Sequence, residues 1–225
     1  MRLRPGKLVL LFIDLELNRT NIDIATLSET QLLIGSGSIR EEHYTFFWSR
    51  HPAGERMRHG VALLSATAWS HASSHASGTP ETSPHFMSMS VPISQRCLTV
   101  LSVFAPTLMM WSNEKDEFYQ LLSESLSTIS KGDDVVLAGD FTARAGAGCD
   151  QWNGALGPHH GLGKINENGQ QLLELCTNYN FALTSTFFAA SLNSKVTRMD
   201  PRSQRVPFSP PPIHTRRLLV WPYTK

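Results

Sequence analysis

Apolar and polar positions along this chain form short runs divided by turn residues, and most runs suit strands better than helices. Leu8, Leu11, Phe12 and Leu15 fall at i, i+3, i+4 and i+7, which fits a helix. The unbroken apolar run over 8–13 fits a buried strand equally, so periodicity leaves that core segment open between the two. Residues 22–27 alternate and predict a strand that delivers Ser28-Glu29-Thr30 at its carboxyl end. The aromatic run 44–48 and the apolar run 60–64 predict two more strands. Residues 65–90, rich in Ser, Ala, His and Pro with no apolar period, predict a surface connection. A strand over 97–104 ends at Ala105-Pro106. Phe118, Leu121, Leu122, Ser125, Leu126 and Ile129 mark an amphipathic helix capped by Ser112 or Asn113. A strand over 135–138, a helix over 166–179 with Leu172, Leu173, Cys176 and Tyr179 inward, and a strand over 182–187 follow. Beyond residue 206, Pro207, Pro210, Pro211 and Pro212 preclude central regular structure. The pattern predicts one α/β or α+β layered domain over 8–205 and a disordered Pro/Arg-rich tail over 206–225.

Composition narrows the function classes. A chain of 225 residues, 41% hydrophobic, can bury one sizeable core. Its formal net charge of +1 supplies no strong pull toward nucleic acid. Arg198, Arg202, Arg205, Arg216 and Arg217 read as a solvated basic end. Cys97, Cys149 and Cys176 are odd in number and far apart, which suits reduced thiols in an intracellular protein, nuclear or cytoplasmic. The apolar run near the start spans six residues, is followed at once by Asp14 and Glu16, and lacks a small-residue cleavage site. Neither a signal peptide nor a membrane span is expected, and no membrane partner.

The candidate chemistry centres on Gly139-Asp140-Phe141-Thr142-Ala143-Arg144, directly after the apolar run 135–138. A buried strand ending in Gly-Asp delivers one carboxylate to the rim of a sheet, a setting suited to metal-assisted phosphate chemistry. Other candidates carry less. His71, His75 and His85 share no fixed spacing with a Cys or carboxylate, so a solvated loop is the reading. Gly146-Ala147-Gly148 lacks the spacing and the Lys-Ser/Thr ending of a phosphate-binding loop. Tyr44, Trp48 and Trp152 suit base stacking, but buried packing is the default for such residues.

Several segments in order then resemble one family. They are Asp23-Ile24-Ala25-Thr26-Leu27-Ser28-Glu29-Thr30, Tyr44-Thr45-Phe46-Phe47-Trp48-Ser49, Val103-Phe104-Ala105-Pro106-Thr107, Gly139-Asp140-Phe141, Gly163-Lys164-Ile165-Asn166-Glu167-Asn168-Gly169 and Pro201-Arg202-Ser203. Together they resemble the endonuclease/exonuclease/phosphatase family, in particular the endonuclease-like domains of LINE-type (non-LTR) retrotransposons and the craniofacial development protein-like relatives. The resemblance covers residues 15–205. It implies a four-layer sandwich of two packed mixed sheets flanked by helices, deoxyribonuclease I-like, and Mg²⁺-dependent cleavage of DNA phosphodiesters. It also implies Glu29 as the metal carboxylate and Asp140 as the group that orients or deprotonates the attacking water. Positions 142 and 104 would serve the phosphate, and Arg144, His160 and Asn166 would lie on the substrate side, His160 within the loop that matches the family's Gly-x-His-Gly-x-Gly-Lys.

The sequence departs from the family pattern at the site itself. Thr142 stands in place of an amide-bearing Asn, and Phe104 in place of a phenol donor. The first strand with its catalytic Asn, the closing Leu-Asp-Tyr strand and the terminal Ser-Asp-His have no counterpart, and His214 sits in the Pro-rich tail. Losing one transition-state donor costs on the order of 10²–10³ in rate. The expectation is a domain incomplete at both ends and impaired or inactive as a nuclease, with weak DNA contact at most. A non-catalytic binding or scaffolding domain and the product of a decayed element that does not fold stably are the other readings. Protein partners are not legible in the sequence.

Overall fold

The computed structural model describes residues 5–28, 30, 35–50, 60–67, 85–146, 148, 150–152, 154–159, 164–188 and 218–222. The chain divides into two compact units, Met1–Gly139 and Asp140–Lys225. The division falls at the end of a strand, one residue before the candidate carboxylate.

The first unit opens with α1 (Pro5–Arg19). It then runs through β1 (Ile24–Ser28), β2 (Gly37–Arg40), β3 (Tyr44–Arg50), β4 (Gly60–Ala66), β5 (Phe86–Ile93), β6 (Arg96–Phe104), α2 (Ser112–Ser127) and β7 (Asp134–Asp140). One sheet has the order β1-β4-β3-β2 with antiparallel pairs throughout, Thr26 opposite Leu63 and Phe47 opposite Leu63 on the other side. In a second sheet β5 and β6 form a hairpin, Met89 opposite Val100, turned at Ser94 with φ 57°. Cys97 lies beside Asp133 and Val103 beside Gly139, so β6 and β7 run parallel through the α2 crossover.

The layering follows from alternation along the strands. Met87, Met89 and Val91 of β5, Val100 and Phe104 of β6, and Val136 and Ala138 of β7 pack against Val61 and Leu63 of β4, which joins the two sheets face to face. On the outer face of the first sheet, Leu10 of α1 packs with Ala25, Tyr44, Phe46, Ala62 and Leu64. On the outer face of the second, Phe118 of α2 meets His85 and Phe86 edge-on at centroid distances of 5.8 and 6.5 Å. The unit is therefore a four-layer helix–sheet–sheet–helix sandwich, as the resemblance implies.

Several expectations change. Residues 5–19 are helical, and the face they bury is not the stripe read from periodicity. Leu8, Phe12 and Leu15 are exposed, whereas Leu10 and Asp14 are buried and Ile13 and Leu17 pack beside them. Asp14 wins its buried place by accepting from the His43 and Tyr44 backbone N–H groups and the His43 ring at 2.6–3.2 Å, tying α1 to the turn before β3. β5 begins inside the stretch expected to be a loop, because Met87, Met89 and Val91 alternate with Ser88 and Ser90. α2 takes Trp111, not Ser112 or Asn113, as its N-cap, without a side-chain bond. Tyr44, by contrast, is buried and half-buried Trp48 packs on the same core, the packing role expected for both.

The second unit holds α3 (Glu167–Tyr179), β8 (Phe181–Leu183) and β9 (Leu218–Pro222). Leu172, Leu173 and Cys176 face inward as expected, joined by Leu175, and Asn180 at φ 56° closes the helix in a left-handed cap. The strand predicted over 182–187 is shorter: after Leu183 the chain tightens into a single 3₁₀ turn at Thr184–Thr186. β9 pairs antiparallel with β8, Ala182 opposite Trp221, inside the segment expected to lack regular structure. A short run of Leu218, Leu219, Val220 and Trp221 is enough for a strand once a partner edge exists, despite the prolines before it.

Candidate functional site

Three strand ends in the first unit share one edge. The Ser28 hydroxyl at the end of β1 donates to the Val103 carbonyl of β6 at 3.3 Å. Gly139 of β7 approaches the same carbonyl so closely that a Cβ would lie 1.9 Å from its oxygen. Gly139 also has φ 152°, a backbone state glycine alone enters freely. The Gly of the Gly-Asp pair thus has a steric cause: only without a side chain does β7 pass Val103 and deliver the next residue. On the other side of Glu29, the Thr30 N–H donates to Gly60.

Phe104, one residue beyond Val103, is 2% exposed and belongs to the core between the sheets. Its carbonyl accepts the His85 Nδ1–H at 2.9 Å, and its N–H donates to the His85 carbonyl at 2.6 Å. The ring offers no donor and no access, so position 104 is a packing residue and not a phosphate contact. The missing donor is the departure from the family pattern already legible at Phe104.

The remaining candidates lie in the second unit. Asp140 is exposed, and its Oδ1 accepts the Thr142 backbone N–H at 2.8 Å, a tight side-chain turn of the kind Asp makes two residues on. Thr142 sits at φ 47°, an uncommon state for a β-branched residue. Two asparagines at the start of α3 hold it there. Buried Asn168 donates from Nδ2 to the Thr142 hydroxyl at 2.6 Å and to the Phe141 carbonyl at 3.4 Å. Asn166, the N-cap, accepts through Oδ1 from Gly169 N–H at 2.7 Å and from Arg144 N–H at 2.8 Å. Its Nδ2 donates to the Thr142 carbonyl at 3.3 Å, and its own N–H to the Arg144 carbonyl at 3.1 Å. Gly169 is obligatory because a Cβ would fall 2.0 Å from that carbonyl. The loop 140–144 is therefore clamped onto the head of α3.

Asp140, Thr142, Arg144 and Asn166 come together in one loop–helix junction. Asn166 serves there through helix capping and loop bonds, and the Arg144 side chain is exposed. Asn168 was missed; a buried side-chain amide has no signature in apolar periodicity, and only the amide pair of Asn-Glu-Asn-Gly hints at it. Glu29 and His160 lie outside the described residues. Neighbouring His159 is exposed, its N–H donating to Thr186. Among the described residues no group of three or more His, Cys, Asp or Glu gathers as a metal site. What the junction offers chemically is the solvent-facing Asp140 carboxylate, held through one oxygen, with the exposed Glu167 at the start of α3.

No family model matches the chain. Over 187 residues, 83% of its length, the chain is 30% identical to Craniofacial development protein 2 of Bos taurus and 29% identical to that of Tragulus javanicus. It spans 30% of the length of either relative. Among solved structures it superposes on the AP endonuclease LMAP from Leishmania major with a TM-score of 0.52 at 10% identity, covering 80% of this chain and 64% of that one. The endonuclease domain of TRAS1, a telomere-specific non-LTR retrotransposon, gives 0.47 at 12% identity over 74% and 63% of the two chains. The fold is that of deoxyribonuclease I-like endonuclease domains.

Proposed function

On this deoxyribonuclease I-like fold, in a chain similar over most of its length to craniofacial development protein 2, we propose a retrotransposon-derived, Mg²⁺-dependent phosphodiesterase-like domain whose catalysis is impaired. The observation that carries the reading is Asp140: an exposed carboxylate set at a strand end by a glycine that admits no side chain, and oriented by the amide two residues on. A carboxylate held in that way directs or deprotonates a water, the role the motif resemblance assigns it. Glu29, by the same resemblance, is the residue that would hold the cation. A carboxylate is the hard oxygen donor Mg²⁺ takes, since that ion keeps several waters and binds through one or two such groups. Bound there, Mg²⁺ would neutralise charge on a phosphate oxygen.

Two features support the impairment. Phe104 lies in the core and has no donor to give. Thr142, whose hydroxyl oxygen already accepts from Asn168, is shorter than the family's Asn and offers a single O–H in place of an amide. Each lost donor lowers the rate by about 10²–10³. Those same features favour, as a second reading, a non-catalytic binding domain on the same scaffold. Incubation with supercoiled plasmid separates the two. Slow Mg²⁺-dependent nicking that EDTA stops and Asp140→Ala abolishes supports the impaired enzyme. DNA retention that weakens steeply with salt, with no nicking at any Mg²⁺ concentration, supports the binding domain.

A further inference from the structure

Among the described residues of the second unit, Asn168 is the most buried polar one, at 1% exposure, and its amide reaches two residues of the Asp140 loop. We infer that Asn168 is a positioning residue for the Asp140 carboxylate, acting through Thr142. The inference rests on Asp140 being the water-directing group proposed above.

The physical chain has three links. Thr142 at φ 47° places Cβ where a β-branched residue is strained, so left alone the residue would relax toward negative φ. Two bonds from Asn168 Nδ2 oppose that relaxation, to the Thr142 hydroxyl at 2.6 Å and to the Phe141 carbonyl at 3.4 Å, and Asn166 Nδ2 adds one to the Thr142 carbonyl at 3.3 Å. With φ held positive, the Thr142 N–H points back at Asp140 Oδ1, 2.8 Å away. Releasing the first link turns the amide away and frees the carboxylate to rotate. The same geometry explains why Thr is tolerated at position 142: its hydroxyl is an anchor for Asn168. Asn166 grips the loop through the Thr142 carbonyl and the Arg144 and Gly169 amides, by bonds that do not pass through Thr142 Oγ1.

That separation supplies the test. Backbone amide hydrogen exchange is followed by NMR on the full, metal-free chain, in the wild type, Asn168→Ala and Thr142→Val. Thr142→Val keeps the branched shape and removes only the hydroxyl, so it serves if loss of the buried amide prevents folding. The expected result is roughly tenfold faster exchange at the Thr142 amide in either variant, with the Arg144 and Gly169 amides unchanged. Unchanged Thr142 protection would overturn the inference, and so would loss of protection at all three amides together, which marks general loosening. Nicking is read separately: a wild type that never nicks DNA contradicts the nuclease reading while leaving the exchange result to decide the role of Asn168.

Discussion

At Gly139 the missing side chain is the condition for the site, because a Cβ there would sit 1.9 Å from the Val103 oxygen and 2.8 Å from Val103 N. Gly139→Ala must part β6 from β7, and we expect a loss of more than about 3 kcal/mol, read as a lower denaturant midpoint. Asp14 is the other residue on which much depends. It is fully buried and accepts three hydrogen bonds from His43 and Tyr44. Asp14→Ala leaves the buried Tyr44 N–H and the part-buried His43 N–H without an acceptor and should cost about 2–4 kcal/mol in the same measurement. Cys176 gives a pH signature. Burial pushes its thiol up to about 12 from an ordinary value of 9.0. Burial first, and then the charges of Asp23 and Asp14, raise the Tyr44 phenol too. The unfolded chain then releases these protons at lower pH than the folded one, so it binds fewer of them and stability falls as pH rises. For the thiol that loss begins near pH 9 and continues toward 12. Urea midpoints measured from pH 8 to 11 should decline, and Cys176→Ala should flatten part of the decline. An equal slope in the variant would contradict the assignment.

Among the elements, the α3 head carries most of the information. One oxygen, Asn166 Oδ1, caps the helix and also holds the Arg144 amide. Asn166→Ala should therefore cost about 1–2 kcal/mol of stability, the upper range for a cap, and loosen the loop as well. The helix itself was legible because Leu172, Leu173 and Cys176 repeat at helical spacing and bury together. The strands β1, β3, β4, β6 and β7 were legible for a related reason, as apolar runs bounded by turn residues. α1 was misread on its face. Nearly every position from Leu8 to Leu17 is apolar, so the stripe carried no direction, and buried Asp14 decided which side faced the sheet. β5 was missed because Ser88 and Ser90 break its apolar run on the α2-facing side. β9 was missed because a strand of five residues is specified by its partner, β8, more than by its own composition. At the site, Asp140 was legible from its Gly-Asp motif, whereas Asn168 acts through geometry that no spacing announces.

For the molecule as a whole, similarity to craniofacial development protein 2 goes together with a deoxyribonuclease I-like fold. Activity turns on a smaller set of atoms. The formal net charge of +1 predicts that DNA contact, if retained, involves few phosphates, so the logarithm of the binding constant should fall only gently against the logarithm of salt. No helix among the described residues is long and apolar enough to cross a membrane. The measurement closest to the central claim is single-turnover nicking of supercoiled DNA in Mg²⁺ by the wild-type chain and by Asp140→Asn, which keeps an oxygen for the Thr142 amide but removes the negative charge. We predict slow nicking by the wild type and a rate at least about 100-fold lower in the variant. Equal rates in the two proteins would contradict the account, because the carboxylate on which it is built would then be doing no chemistry.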